Sequence, residues 1–147
     1  MADDRPELIL QPSGFQQLLG YRLLDRGEDF AVVGLALEDK HLNRFGVAHG
    51  GVLTTLIDTA CGLAATWCPF PGRARYVLTL SLSSSFIGQA RGGLIRAVGR
   101  KKGGGRRVVF CAAEVLDADD RLVAMGEGTF RYREGSEKPD GVPLRSA

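Results

Sequence analysis

Between Val52 and Phe70 the chain reads VLTTLIDTACGLAATWCPF, and Asp58 is the sole ionisable group there apart from two thiols. Taking a lone carboxylate out of water is costly unless hydrogen bonds or a shifted pKa compensate. An acid retained in such a run is suited to work as a general base or as a nucleophile. Directly upstream lies Asn43-Arg44-Phe45-Gly46-Val47-Ala48-His49-Gly50-Gly51, a glycine turn that leads into the apolar run. If a helix starts at Gly50 and Gly51, their backbone N–H groups lack intrahelical partners and sit at the positive end of the macrodipole. Such donors can hold a developing oxyanion or a polarised carbonyl. Glycine at both positions lets a substrate approach the backbone. The same pair also serves as a plain tight entry into a helix.

The flanking residues each carry two readings. Asn43 can aim its amide at a carbonyl oxygen or an attacking water, or it can simply shape the loop. His49 can act as a base or touch substrate, but a histidine just before a helix more often fixes the loop through a backbone hydrogen bond. The chain has two histidines, His41 and His49, which excludes a histidine-rich metal site. No metal or redox cofactor is expected. Cys61, one turn after Asp58, has no cationic neighbour in sequence to activate it and reads as a small core residue. No G-x-S-x-G elbow is present, and Gly103-Gly104-Gly105 is not followed by the Lys-Ser/Thr of a phosphate-binding loop. Arg100, Lys101, Lys102, Arg106 and Arg107 bracket those glycines. They form either a solvated hairpin tip or, through Arg106 and Arg107 in particular, a dock for the phosphates of a nucleotide-bearing substrate.

Spacing adds a constraint. Gly50 and Asp58 are eight residues apart, which on a helix is roughly 12 Å. An oxyanion donor and a catalytic carboxylate must both come within roughly 3 Å of the reacting centre. If both serve one carbonyl, Asp58 has to come from a second chain. The chemistry therefore calls for a homo-oligomer, at least a two-fold dimer with composite sites.

The elements that must position these groups are legible. Ser13 with Gln16 signals the start of a short helix with Phe15, Leu18 and Leu19 on its apolar face, stopped by Gly20. Strands are expected at 21–24 and 30–37, joined by a turn at Asp25-Arg26-Gly27-Glu28. A loop fills 38–50, and a helix over 51–67 places apolar residues at three- and four-residue spacing on most sides, so it should be wrapped. Pro69-Phe70-Pro71-Gly72 ends it. Residues 76–86 alternate, with Leu78, Leu80 and Leu82 on one face and Thr79, Ser81 and Ser83 on the other. Further strands are expected at 94–100, 106–116 and 122–133, with turns at 103–105 and 117–121. One helix among antiparallel strands is an α+β pattern, a sheet curled around a helix. Residues 1–12 read as an N-terminal arm, 13–133 as a single domain, and 134–147 as a disordered tail.

Composition narrows the class. At 147 residues and a net charge of +2, bulk electrostatics favour neither nucleic acid nor an anionic membrane. The basic run carries no interleaved aromatics for stacking bases. The apolar run approaches membrane-spanning length but contains Asp58, Gly62, four threonines and Pro69, which favours a buried core helix. The acidic start MADDRPELILQP is not that of a signal peptide. Three cysteines without a C-x-x-C pair indicate neither a disulfide framework nor a zinc site, so a reducing cytoplasm is expected.

Asn43, five residues, His49-Gly50-Gly51, six residues, then Asp58 resembles the signature of hotdog-fold acyl-CoA thioesterases, closest to the phenylacetate-degradation branch. The likeness covers about 20–133. The resemblance implies an antiparallel sheet wrapped around one long helix, assembled as dimers and commonly tetramers. It implies that Gly50 gives its N–H to the thioester carbonyl, and that Asp58 of the facing subunit is the general base or nucleophile. Asn43 would place the carbonyl or the water. A hydroxyl on the strand after the helix falls on Thr79. Carrying contacts with the phosphates of CoA onto Arg106 and Arg107 goes beyond any fixed pattern. Two other activities compete with hydrolysis: a hotdog hydratase or dehydratase, whose His-plus-carboxylate motifs are not seen, and a non-catalytic acyl-CoA-binding module, which has no need of an acid in an apolar helix.

Overall fold

Ser13 opens α1 (Gly14–Leu19) as expected: its Oγ accepts the Gln16 N–H at 3.1 Å, and Gly20, at φ 85°, closes the helix. The computed structural model describes residues 12–144 of the 147. The arm at 1–12, Pro12 apart, lies outside them. Phe15 and Leu18 of α1 remain exposed instead of forming a buried face.

Among the described residues, six strands build one antiparallel sheet in the order β1-β2-β5-β6-β7-β4. These are β1 (Arg22–Gly27), β2 (Phe30–Ala36), β4 (Val77–Phe86), β5 (Leu94–Gly104), β6 (Val108–Leu116) and β7 (Leu122–Tyr132); β3 (Arg73–Ala74) and β8 (Val142–Pro143) pair separately. Across the sheet lies α2 (Gly50–Ala65), which buries Leu53, Leu56, Ile57, Ala60 and Cys61 in one core with Val33, Ile95, Ala97, Val109 and Phe130. The sheet curled around a helix is therefore the hotdog arrangement. Gly99 of β5 permits the contact at its tightest point: a Cβ there would meet the Ala60 carbonyl oxygen at 2.4 Å. No described helix is long and apolar enough to cross a membrane.

Four local expectations need correction or refinement. The β1–β2 turn falls at Glu28-Asp29, where Asp29 takes φ 61°, so Asp25 and Arg26 belong to the strand. Likewise β5 continues through Lys101–Gly104 and the hairpin tip moves to 105–107. The sheet wraps the helix, but only from one side: Gly51, Thr54, Thr55, Asp58, Thr59 and Gly62, at three- and four-residue spacing, form a stripe that it leaves accessible in the single chain. Finally, residues 134–144 are an ordered strap, not a loose tail. Val142–Pro143 pairs with Arg73–Ala74, and Ser136 is buried with its Oγ donating to the Tyr76 carbonyl at 3.0 Å.

The C-terminal end of α2 explains part of this order. Its last carbonyls have no intrahelical donors and need others. Thr66 Oγ1 donates to Gly62 O, Arg26 Nε to Leu63 O, and the Tyr132 hydroxyl to Ala65 O. Arg26 also donates to Thr66 Oγ1 at 2.7 Å, which sets a buried cation at the negative end of the helix.

Candidate active site

The loop before α2 is built from side-chain-to-backbone hydrogen bonds. Asn43 Oδ1 accepts the N–H groups of Phe45 and Val47 at 2.9 and 3.3 Å. This turn fixes the amide plane and leaves Nδ2 as the end available to donate. Buried His41 holds the loop from below. Its Nδ1 accepts the Glu38 N–H at 2.9 Å, so the proton sits on Nε2, which donates to Leu19 O at 2.7 Å. The His41 carbonyl then accepts the His49 N–H at 2.8 Å. Nothing in the sequence around His41 signals this scaffold role, which follows from its full burial under the glycine turn.

His49 is the N-cap of α2, its Nδ1 accepting the Gly51 N–H at 2.9 Å. That bond favours the loop-fixing reading of His49 and engages the Gly51 donor. Val52 and Leu53 N–H groups reach the His49 carbonyl. The Gly50 N–H has no partner among the described residues. The Phe86 ring stands beside this first turn of α2: its Cζ would lie 3.3 Å from a Cβ on Gly50.

Asp58 lies two turns further along α2, in the accessible stripe. It is half-buried, so the cost of full desolvation expected from sequence does not arise in the single chain. Its Oδ1 accepts the Thr79 hydroxyl at 2.7 Å. Strict alternation puts Thr79 opposite Leu82, but a bulge between Thr79 and Ser81 inserts Leu80 and reverses the parity. Val77 and Thr79 before the bulge, and Leu82, Ser84 and Phe86 after it, all face α2. Asp58 and Thr79 stand on the lining of a cavity of about 300 Å³ that extends past Gly62 to the connector after the helix.

Two sequence-predicted groups thus form two clusters on one face: Asn43, His49, Gly50 and Gly51 at the start of α2, and Asp58 with Thr79 at its middle. Arg106 and Arg107 belong to neither. They are exposed at the β5–β6 tip, and Arg107 lines a different, polar cavity with Arg131, Glu134 and Glu137. The Glu137 carboxyl is held below its usual range, first by its own backbone N–H and further by Arg106 and Arg107. The basic run also does not act as one patch, since Lys101 turns to Asp29 at 3.9 Å. Cys61 is fully buried and its thiol is pushed up to about 12, first by burial, which removes it as a nucleophile.

Residues 45–124, from the loop before Gly50 to the last third of the sheet, match the family described as Thioesterase superfamily. The chain belongs to the thioesterase superfamily. A Pseudomonas aeruginosa protein whose name gives it as an inferred esterase is 35% identical over 130 residues, covering 81% of this chain and 95% of its own. A solved structure of a conserved protein from the same organism superposes with a TM-score of 0.73 at 31% identity, over 90% of this chain and all of that one. The phenylacetic acid degradation protein PaaI from Thermus thermophilus, solved as a mutant, gives 0.69 at 26% identity, over 81% of this chain and 98% of that one. The fold and family expected from the Asn43–Asp58 motif are therefore correct, and a thioesterase-type hydrolase is the activity class.

Proposed function

We propose that this superfamily member hydrolyses acyl- or aryl-CoA thioesters, with each active site shared between two copies of the chain. The observation that carries the reading is the pairing of an unpartnered Gly50 N–H at the start of α2 with the Asp58–Thr79 hydrogen bond eight residues on. Asp58 lies on the uncovered stripe that begins beside Gly50 at Gly51, yet the two groups are separated by roughly 12 Å along the helix. A second copy packed antiparallel on that stripe sets the Gly50 of one subunit opposite the Asp58 of the other. The edge strand β4 supports this packing. It is ten residues long, has no strand on its outer side among the described residues, and ends in exposed Phe86. Such an edge readily pairs with its two-fold mate. On the outer face of the sheet, exposed Phe110 and Met125 would serve a second contact in a tetramer.

In the composite site the Gly50 N–H and the helix dipole polarise the thioester carbonyl, and the Asn43 amide helps to place that oxygen or the water. Asp58, oriented by Thr79, acts on the carbonyl carbon in one of two ways. As general base it takes a proton from water as the water oxygen attacks. As nucleophile it forms an acyl-aspartate anhydride that water then opens. In both, the carbon–sulfur bond breaks; CoA thiolate takes the proton that Asp58 drew from water on the general-base path, and a solvent proton on the anhydride path, and leaves as the thiol. The acyl group lies in the cavity beside Asp58, and CoA leaves along the surface. His49 and Gly51 shape the carbonyl site. Arg106 and Arg107 remain the weakest contacts for the CoA phosphates, given Glu137 beside them. The three free, buried thiols suit a reducing compartment such as the cytoplasm.

Thiol release from a panel of acyl- and aryl-CoAs, followed with a thiol reagent, tests the activity. The native protein should cleave at least one class, and Asp58→Asn should abolish it. An Asp58→Asn protein as active as the native one would remove Asp58 from the mechanism. Tight binding without turnover across the panel would instead favour a non-catalytic module.

A further inference from the structure

The strap at 136–144 is anchored to the connector mainly through its main chain, with the Ser136 hydroxyl on Tyr76 and the Asp140 carboxylate near Arg73 as side-chain additions. Arg75 donates to the carbonyls of Ser136 and Glu137 at 3.2 and 2.8 Å, its guanidinium lying 4.1 Å from the Tyr132 ring centroid. Arg73 donates to the carbonyls of Asp140 and Gly141 at 2.6 and 2.8 Å. The Leu144 N–H then donates to Gly72 O at 2.9 Å. These bonds carry Leu144 into the lining of the Asp58 cavity. From Asp58 to Thr66, which also lines it, the cavity runs roughly 12 Å along α2. Its volume of about 300 Å³ is at the low end for small-molecule pockets.

One side of the cavity is made by a residue that helix stability alone does not favour. Gly62 sits in the interior of α2, one turn after Asp58, where glycine weakens a helix relative to alanine. No tight neighbour demands it: a Cβ there would meet Val77 Cγ2 at 3.7 Å and Phe130 Cε1 at 4.0 Å, both ordinary contacts. What the missing side chain preserves is cavity width between the helix and Val77.

We propose that the strap sets the acyl-size limit of the enzyme, with Leu144 as the wall at the connector end and Gly62 fixing the width. The substrates selected are thioesters of compact acids, a single ring or a short chain, and bulkier acyl groups are refused by Leu144. The inference rests on the acyl group entering the cavity beside Asp58. A strap secured by two arginines on backbone carbonyls gives this wall a fixed position rather than a floppy one.

The test is a kcat/KM profile for the full-length native protein, Leu144→Ala and Gly62→Ala, over saturated acyl-CoAs of increasing length plus phenylacetyl-CoA. Thermal unfolding of each variant serves as the folding control. Leu144→Ala should move the optimum to longer chains, raising the longest-to-shortest ratio about tenfold or more, the discrimination a methylene-sized change in a pocket gives. Gly62→Ala, which the helix tolerates, should move the profile the other way, against phenylacetyl-CoA and longer chains. Profiles that keep the native shape in folded, active variants would overturn the strap's role while leaving hydrolysis intact. A native protein that cleaves none of these thioesters would overturn the hydrolase reading and this inference together.

Discussion

Replacing Gly50 with alanine separates catalysis from stability because the two should respond with opposite signs. The added methyl sits on the residue whose N–H is expected to hold the carbonyl and should hinder the close approach of substrate to the backbone that glycine allows. Its nearest neighbours are Phe86 Cζ and Cε1 at 3.3 and 3.4 Å, tight contacts. The Phe86 side chain is 55% exposed, so the ring can yield by a few tenths of an ångström. Alanine is favoured over glycine in a helix by up to about 1 kcal/mol, so folding should be unaffected or slightly improved. Obstructing one oxyanion donor costs about 10²–10³ in kcat, or ~2.7–4 kcal/mol. Thermal unfolding and thiol release on the same preparation give both quantities. The double variant Gly50→Ala/Phe86→Ala removes the ring contact and should not recover activity. Hydrolysis within threefold of native, or recovery in the double variant, would refute the placement of the carbonyl on the Gly50 N–H.

Thr79→Val removes the hydroxyl that donates to Asp58; a hydrogen bond to a charged group contributes about 1.5–3 kcal/mol, so kcat should fall by one to two orders of magnitude with KM little changed. Thr79→Ser should retain most of the rate, and an equal loss in both variants would argue against the hydrogen bond as cause. Arg26→Met keeps the packed stem but strands the Leu63 carbonyl and removes the cation at the end of α2, for a combined loss of about 2–3 kcal/mol in urea unfolding. A change below a few tenths would mean that other donors take over. Burial raises the thiols of Cys61 and Cys111 from 9.0 to about 12 and about 11. Because the folded state holds these protons more tightly, their contribution is intact below pH 9 and declines as pH rises toward those values. Replacing both with alanine should flatten the alkaline loss of stability, and neither thiol should react with a disulfide reagent at pH 8 while the protein is folded.

Much of this architecture can be read from local rules, and the misses share a physical origin. The bounds of α2 follow from apolar spacing, a glycine entry and a proline exit, and α1 follows from Ser13 and Gly20. The motif from Asn43 to Asp58 carries the family because each residue type has a job that few others perform. The bulge at Leu80 is invisible because TLSLS, residues 79–83, alternates perfectly; only the pairing with Thr129 and Phe130 reveals the extra residue that turns Thr79 toward Asp58. Arg26 hides in a stretch with turn-like composition, and its role depends on carbonyls nearly forty residues away. The strap is hard to read in the sequence because Arg73 and Arg75 hold it largely by main-chain oxygens, which leave little side-chain pattern in 134–144. The open stripe on α2 is present in the sequence, since Thr54, Thr55, Asp58, Thr59 and Gly62 recur at helical spacing, but small and weakly polar residues contrast little with the apolar face the sheet wraps.

The shared site is the central claim, and mixing two inactive subunits tests it directly. Asp58→Asn and Gly50→Ala proteins, each nearly silent alone, are unfolded together and refolded as an equal mixture. If Gly50 of one chain works with Asp58 of the other, mixed dimers contain one intact site, and random assembly should restore about one quarter of the native activity. If both residues serve a site within one chain, the mixture stays as inactive as its parents.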